Sequence, residues 1–293
     1  MDELIERSAT IEDLDAFIEL FATSDRTDIG EQFLTRDDIE PSWEAPGFDG
    51  TRNTRLIYIG PVLVAAGMVI GRRAWGTVHP DFRGRNIGSR LIEWTEQAAA
   101  SVRIGQSVIE TLEDARALFI ERGYETLYTS WVLRYDEDRN VPDSPPPAGI
   151  VIRPIHASEE RAAYQVIEDA FNEWPHRTPL TFEEWRADTV ERNDFDPSLL
   201  RVALDGNTIV GSIFGIHYPE EGWVDELAVA RQYRRRGIAR ALLSSVFGEF
   251  RSRGQGVVGL NTDSRTGALD VYLGLGMELK LTFVHYSRQL KND

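Results

Sequence analysis

The segment YRRRGIARALL (233–243) sets three arginines and a glycine ahead of an apolar run. Ala239, Leu242, Leu243, Val246 and Phe250 recur at the period of an amphipathic helix, and the preceding GWVDELAV (222–229) reads as a strand. A strand that turns into a helix here exposes the unpaired N–H groups and partial positive charge of the helix N-terminus. Gly237 and Ala239 let the backbone come close to a ligand, and Arg234, Arg235, Arg236 and Arg240 surround the turn with charge. The chemistry this suits is the holding of phosphate on main-chain N–H groups. The strand also carries two adjacent carboxylates, Asp225 and Glu226. A regular strand points them to opposite faces, with Asp225 on the face of Trp223 and Leu227.

A second copy of this arrangement lies upstream. FRGRNIGSRLI (82–92) aligns with the arginine segment at an offset of 151, ARALFIERGY (115–124) with ALDVYLGLGM (268–277) at 153, and IERSATIED (5–13) with VIRPIHASE (151–159) at 146. Three matches in one order mark a tandem duplication of roughly 145 residues. Between the copies DEDRNVPDSPPPAG (136–149) is charged, then proline-rich, and reads as a linker. The expected organisation is a domain at 1–142, a linker at 143–149 and a domain at 150–293. In the second copy the pattern predicts a strand at 150–155, a helix at 158–171 capped by Ser158, and a helix at 182–192. A hairpin follows at 199–218, turning at Asp205, Gly206 and Asn207, then strands at 222–229 and 256–262, a helix at 266–276 and a last strand at 279–290. Such mixing implies an α/β (α+β) layer structure for each domain.

Composition narrows the ligand. The net charge of −16 gives no general attraction for nucleic acid or anionic membranes, so a local basic turn points to a small anion rather than a polyphosphate track. Hydrophobic residues make up 42% of the chain, enough for real cores. Cysteine is absent, which excludes disulfides, thiolate metal sites and a cysteine nucleophile. The opening MDELIERSAT has no apolar stretch of the signal-peptide kind, and no apolar run has the length of a membrane span. A cytoplasmic location is the expectation.

The spacing R-x-x-G-x-A from Arg234 to Ala239, set between a strand ending LAV (227–229) and an amphipathic helix, resembles the acyl-coenzyme A loop of the GNAT N-acetyltransferase superfamily. TGALDVYLGLGM (266–277) resembles the superfamily's second signature, a helix ending in Tyr followed by Gly and an apolar residue. Because the first copy shows the same plan, the resemblance covers nearly the whole chain, and the tandem arrangement is similar to the mycothiol synthase group, as is FDPSLL (195–200) ahead of the hairpin. The resemblance implies two tandem acyltransferase domains, each a mixed, mostly antiparallel sheet flanked by helices. It implies acetyl-coenzyme A lying across an opening between two parallel strands, its pantetheine arm on the backbone of Leu227, Ala228 and Val229. Its pyrophosphate would lie on Arg234, Arg235, Arg236, Gly237, Ile238, Ala239 and Arg240. A deprotonated amine of a small molecule would attack the thioester directly, with no metal.

A protonated amine needs a general base. Some relatives carry a glutamate where this chain has Trp223, and others, resembling polyamine acetyltransferases, an acid where it has Asp225. Asp225 is favoured as the base, with Glu226 as the alternative; either could instead be a strand-end carboxylate paired with an arginine. Tyr272 stands where the superfamily's thiolate-protonating tyrosine stands; the bland alternative is a tyrosine packed beneath the loop. Trp174, His176 and Arg177, in FNEWPHRTPL (171–180), are candidates for acceptor contact, or anchors of a loop, and His217 is a further candidate at a strand end. In the first copy Asn86 replaces Gly237, Ala74 aligns with Asp225 and Phe119 with Tyr272, so that domain is expected to be catalytically silent. A non-catalytic sensor or interaction module binding acyl-coenzyme A is the alternative function. The assembly expected is a monomer with pseudo-dimeric domains, or a homodimer.

Overall fold

The computed structural model describes residues 3–45, 47–136, 144–174 and 177–290. Its strands are β1 (Leu4–Arg7), β2 (Thr54–Ile59), β3 (Val62–Ile70), β4 (Arg73–Val78), β5 (Arg103–Ile109), β6 (Glu125–Asp136), β7 (Ile150–Pro154), β8 (Leu200–Asp205), β9 (Thr208–His217), β10 (Gly222–Val229), β11 (Val257–Asp263) and β12 (Glu278–Gln289). Its α-helices are α1 (Leu14–Ile29), α2 (Arg36–Glu44), α3 (Gly50–Asn53), α4 (Ile87–Ala98), α5 (Glu113–Glu121), α6 (Glu160–Phe171), α7 (Phe182–Asp188), α8 (Ile238–Ser252) and α9 (Leu269–Leu273). The chain forms two compact units, one of Met1–Tyr128 with Phe283–Asp293, the other Thr129–Thr282.

Each unit is a mixed, mostly antiparallel sheet between helices, as expected. The first runs β1-β2-β3-β4-β5 and ends on β12, whose residues from Phe283 to Gln289 pair with β5. The second runs β7-β8-β9-β10-β11 and ends on β6, whose residues from Ser130 to Asp136 pair with β11. In each sheet the fourth and fifth strands are parallel and the other pairs antiparallel. The sixth strand of each unit therefore comes from the other repeat. For this reason the compact units divide differently from the expected 1–142 and 150–293. Of the linker, Ser144 to Gly149 are described, with the Ser144 N–H donating to Ser244 Oγ; residue 143 lies outside the described residues.

The duplication is visible in the caps. Thr10 with Asp13 and Thr35 with Asp38 recur 146 residues on as His156 with Glu159 and Thr181 with Glu184, each acid accepting the N–H three residues before it. Ser158 is thus not the cap of the α6 region: the Glu159 carboxylate closes that turn onto the His156 N–H at 2.9 Å. The predicted helix at 182–192 stops at Asp188 because Thr189 leaves helical geometry at φ −122° and ψ −82°. The one at 266–276 shrinks to α9 between Gly267 and Gly276, both left-handed at φ 64° and 88°.

In the second unit, Ala163 and Ile167 of α6 and Trp185 of α7 pack on one sheet face against Val202, Phe214 and Ala228. Leu242, Val246 and Phe250 of α8 pack on the other against Ile213, Val224 and Leu260. Phe250 comes so close that a Cβ on Gly222 would lie 2.6 Å from its ring, which fixes glycine there.

Candidate active site

In the second unit β10 and β11 pair only where Gly222, Trp223 and Val224 meet Val258, Gly259 and Leu260. Beyond Val224 the strands part, and β10 has lost its neighbour on that side while still paired with β9 on the other. The split coincides with a β-bulge. Val224 pairs with Gly215 and Glu226 with Phe214, so Asp225 is the extra residue. A cavity of about 950 Å³ fills the opening, lined by Asp225 and residues 227–229, by residues 260–263, by the turn into α8 and by Tyr272 of α9.

The bulge corrects the simple alternation. Trp223, Glu226 and Ala228 face the core under α6 and α7, whereas Val224, Leu227 and Val229 face the core under α8. Asp225 therefore does not share a face with both Trp223 and Leu227. The bulge also corrects the pairing of the copies. In the first unit Ala74 pairs with Val69 and Trp75 with Met68 without interruption, so Ala74 corresponds to Val224 and Trp75 to Glu226. Asp225 has no counterpart there.

Asp225 is exposed to the cavity. The surrounding protein desolvates its carboxyl and raises it above the usual carboxylate range; Arg192 opposes the shift and Asp188 adds to it. Arg192 is itself held by Asp194 through two bonds of 2.8 Å. Glu226 lies behind, accepting the Trp185 Nε1–H at 3.0 Å. Desolvation pushes the Glu226 carboxyl up to about 7, the Trp185 bond and Arg177 holding it down, Asp225 and Glu168 raising it. A carboxyl raised on folding binds more protons in the folded than in the unfolded chain, so stability is lost as pH rises from the ordinary glutamate range through about 7. Glu226→Gln keeps an acceptor for Trp185 and removes that loss. It is expected to stabilise the chain by about 2 kcal/mol at about pH 8 and by little at about pH 4, read from denaturant melts at both.

Tyr272 lines the cavity from α9 and is otherwise buried. Desolvation pushes its phenol up to about 12 against a hydrogen bond with Thr262, so the hydroxyl keeps its proton at neutral pH. Its counterpart Phe119 is buried in the first unit, stacked on Tyr286 at 5.5 Å.

The turn into α8 has Arg235 and Gly237 left-handed at φ 61° and 87°, and no side chain caps the helix. The first unit repeats this with Gly84 and Asn86 at φ 72° and 63°, again without a side-chain cap on α4. The first N–H groups of α8 are thereby left for an anion, which is the fit a pyrophosphate requires. The arginines divide the work. Arg234 donates to the Val229 carbonyl at 2.9 Å and pairs with Glu173 at 2.8 Å, as Arg83 does with Val78 and Asp28. Arg236 donates to the Gln232 carbonyl and lies over Tyr233 at 4.9 Å, outside the cavity lining. Arg240 donates to the Gly274 carbonyl. These three brace the turn, and Arg234, Arg235, Gly237, Ile238, Ala239 and Arg240 line the cavity. Gly237→Val forces a branched side chain into left-handed backbone at about 1–2 kcal/mol. Its affinity for coenzyme A is expected to fall roughly tenfold, by titration calorimetry.

Of the acceptor candidates, Trp174 lines the cavity, stacked on Phe171 at 4.5 Å with Arg265 over its ring at 5.3 Å. Arg177 is instead paired with the buried Glu168. His176 lies outside the described residues. His217 is not at the cavity: it meets Gln255 at 3.1 Å, beside the paired end of β10 at Gly222. Residues the sequence reasoning missed include Arg192, Thr262, Asp263 and Arg265; they lie in turns and at a strand end with no motif to mark them.

Residues 160–277 match the Acetyltransferase (GNAT) family. A mycothiol acetyltransferase of Thermobispora bispora is 26% identical over 251 residues, 82% of each chain. One of Salinispora arenicola is 27% identical over 226 residues, 72% of this chain and 71% of that one. The crystal structure of a GCN5-related N-acetyltransferase from Sphaerobacter thermophilus is 30% identical, covers 99% of this chain and 96% of its own, and superposes with a TM-score of 0.85. A tandem GNAT protein from the clavulanic acid biosynthesis pathway shares the fold at 16% identity and a TM-score of 0.73, over 99% of this chain and all of its own. The chain belongs to the GNAT family and is an N-acetyltransferase.

Proposed function

We propose that the second unit acetylates a primary amine of a small cationic molecule, with Asp225 as base and Tyr272 as acid, and that the first unit is catalytically silent. The observation that carries this reading is that Asp225, Tyr272 and the uncapped start of α8 line one cavity. Acetyl-coenzyme A, the family's donor, supplies the thioester carbon to which the amine nitrogen bonds as the carbon–sulfur bond breaks. Asp225 takes the proton the amine nitrogen loses, directly or through water. The unpartnered β10 backbone polarises the carbonyl oxygen, and the Tyr272 hydroxyl gives its proton to the departing sulfur. Asp225 has Asp188 near it, and the arginine that faces it, Arg192, is already paired with Asp194, which favours a cationic acceptor. The first unit has no residue in place of Asp225 and Phe119 in place of Tyr272.

Thiol release from acetyl-coenzyme A over a panel of cationic, neutral and anionic amines tests this. Turnover is expected with cationic primary amines. Coenzyme binding with no amine acetylated would favour the sensor reading.

A further inference from the structure

Glu226 is a second titratable group at the bulge, and the acid–base steps above leave it unused. The reading rests on Asp225 being the base. Behind the strand, the second unit buries a polar network: Trp185 on Glu226, and Glu168 on Arg177 and Asn172. The capping boxes align α7 with α2 at an offset of 146, which sets Ile39 in the place of Trp185 and Ala22 in that of Glu168; strand pairing sets Trp75 in the place of Glu226. Ile39 and Ala22 are both buried in the first unit. The first unit thus has apolar side chains at all three positions and no bulge, whereas the second has the bulge and the buried carboxylate together. Burying one is costly unless it is paired. The cation that acts on it, Arg177, is already matched by Glu168.

We propose that Glu226, hydrogen-bonded to Trp185, is a positioning residue for acetyl transfer: it fixes the bulge that presents Asp225, and its negative charge strengthens the hold of Asp225 on the acceptor's proton. Two adjacent carboxylates repel, so the ionised form of one raises the proton affinity of the other. The charged groups facing Glu226 are Asp225 on its own strand, Glu168 of α6 and Arg177 beyond it; the titratable groups facing Asp225 are Arg192, Asp188 and Tyr218. Arg192 and Arg177 oppose the effect, and each already has an acidic partner.

The test follows the Trp185 indole N–H resonance, which reports on Glu226, against pH in the full chain without ligand. The Asp225 charge raises Glu226, so the coupling is read in the Glu226 midpoint: in Asp225→Asn it is expected about one pH unit lower than in wild type, and in Glu226→Gln the resonance becomes pH-independent. An unchanged midpoint in Asp225→Asn, or a Trp185 resonance that does not titrate in wild type, would overturn the proposal. If Glu226→Gln abolishes turnover while Asp225→Asn retains it, Glu226 is itself the base, and the assignment of Asp225 fails even where the midpoint moves.

Discussion

Asp225→Asn is expected to lower kcat/KM for the acetylated amine by about 10²–10⁴-fold, the range over which a positioned base contributes. The side chain keeps its size and its place at the cavity, so affinity for coenzyme A should change little. The sign of the pH effect follows from the raised Asp225 carboxyl. In wild type the acid limb of kcat/KM falls as Asp225 protonates, at a pH above the ordinary carboxylate range, and in the variant that limb disappears. Steady-state rates from about pH 5 to about pH 9, with calorimetry for the donor, separate the two effects. An unchanged acid limb would remove Asp225 from the role of base.

Tyr272→Phe should lower kcat by roughly 10²-fold while leaving donor affinity within a few fold, because it removes the proton for the departing thiolate. The fold tolerates the change, since Phe119 fills the same position in the first unit with its ring stacked on Tyr286. With the phenol pushed up to about 12, wild-type Tyr272 stays protonated across the working range and sets no limb of its own near neutrality. The loss should shrink for a donor thioester whose thiol is a stronger acid, since that leaving group needs less help. Equal losses with both donors would mean that Tyr272 only packs the cavity.

The sequence made the site legible where chemistry depends on residue type at a fixed spacing. Arg234 to Ala239 lead into α8 with Gly237 left-handed, and Tyr272 reaches the same cavity. It was less legible where geometry depends on a single inserted residue. Strict alternation along GWVDELAV misassigns the faces of Asp225 and Glu226, because a bulge shifts the period by one and strands carry no local mark for it. The same insertion hid the correspondence of Ala74 with Val224. The exchange of β6 and β12 is a matter of long-range pairing, which neither propensity nor periodicity encodes. His217 looked polar and well placed, yet Gln255, in the turn after α8, takes it. Arg234 lines the cavity and also clamps Glu173, as Arg83 clamps Asp28 of α1 in the first copy, a second task that the motif spacing does not reveal.

The most direct test of chemistry in the second unit is the rate of thiol release from acetyl-coenzyme A by the full chain, wild type against the double variant Asp225→Asn, Tyr272→Phe, with a cationic amine that the wild type acetylates. The double variant should bind coenzyme A and release thiol at least about 10²–10⁴-fold more slowly than the wild type. A wild-type rate in the double variant would contradict this and move the reaction out of the cavity between β10 and β11.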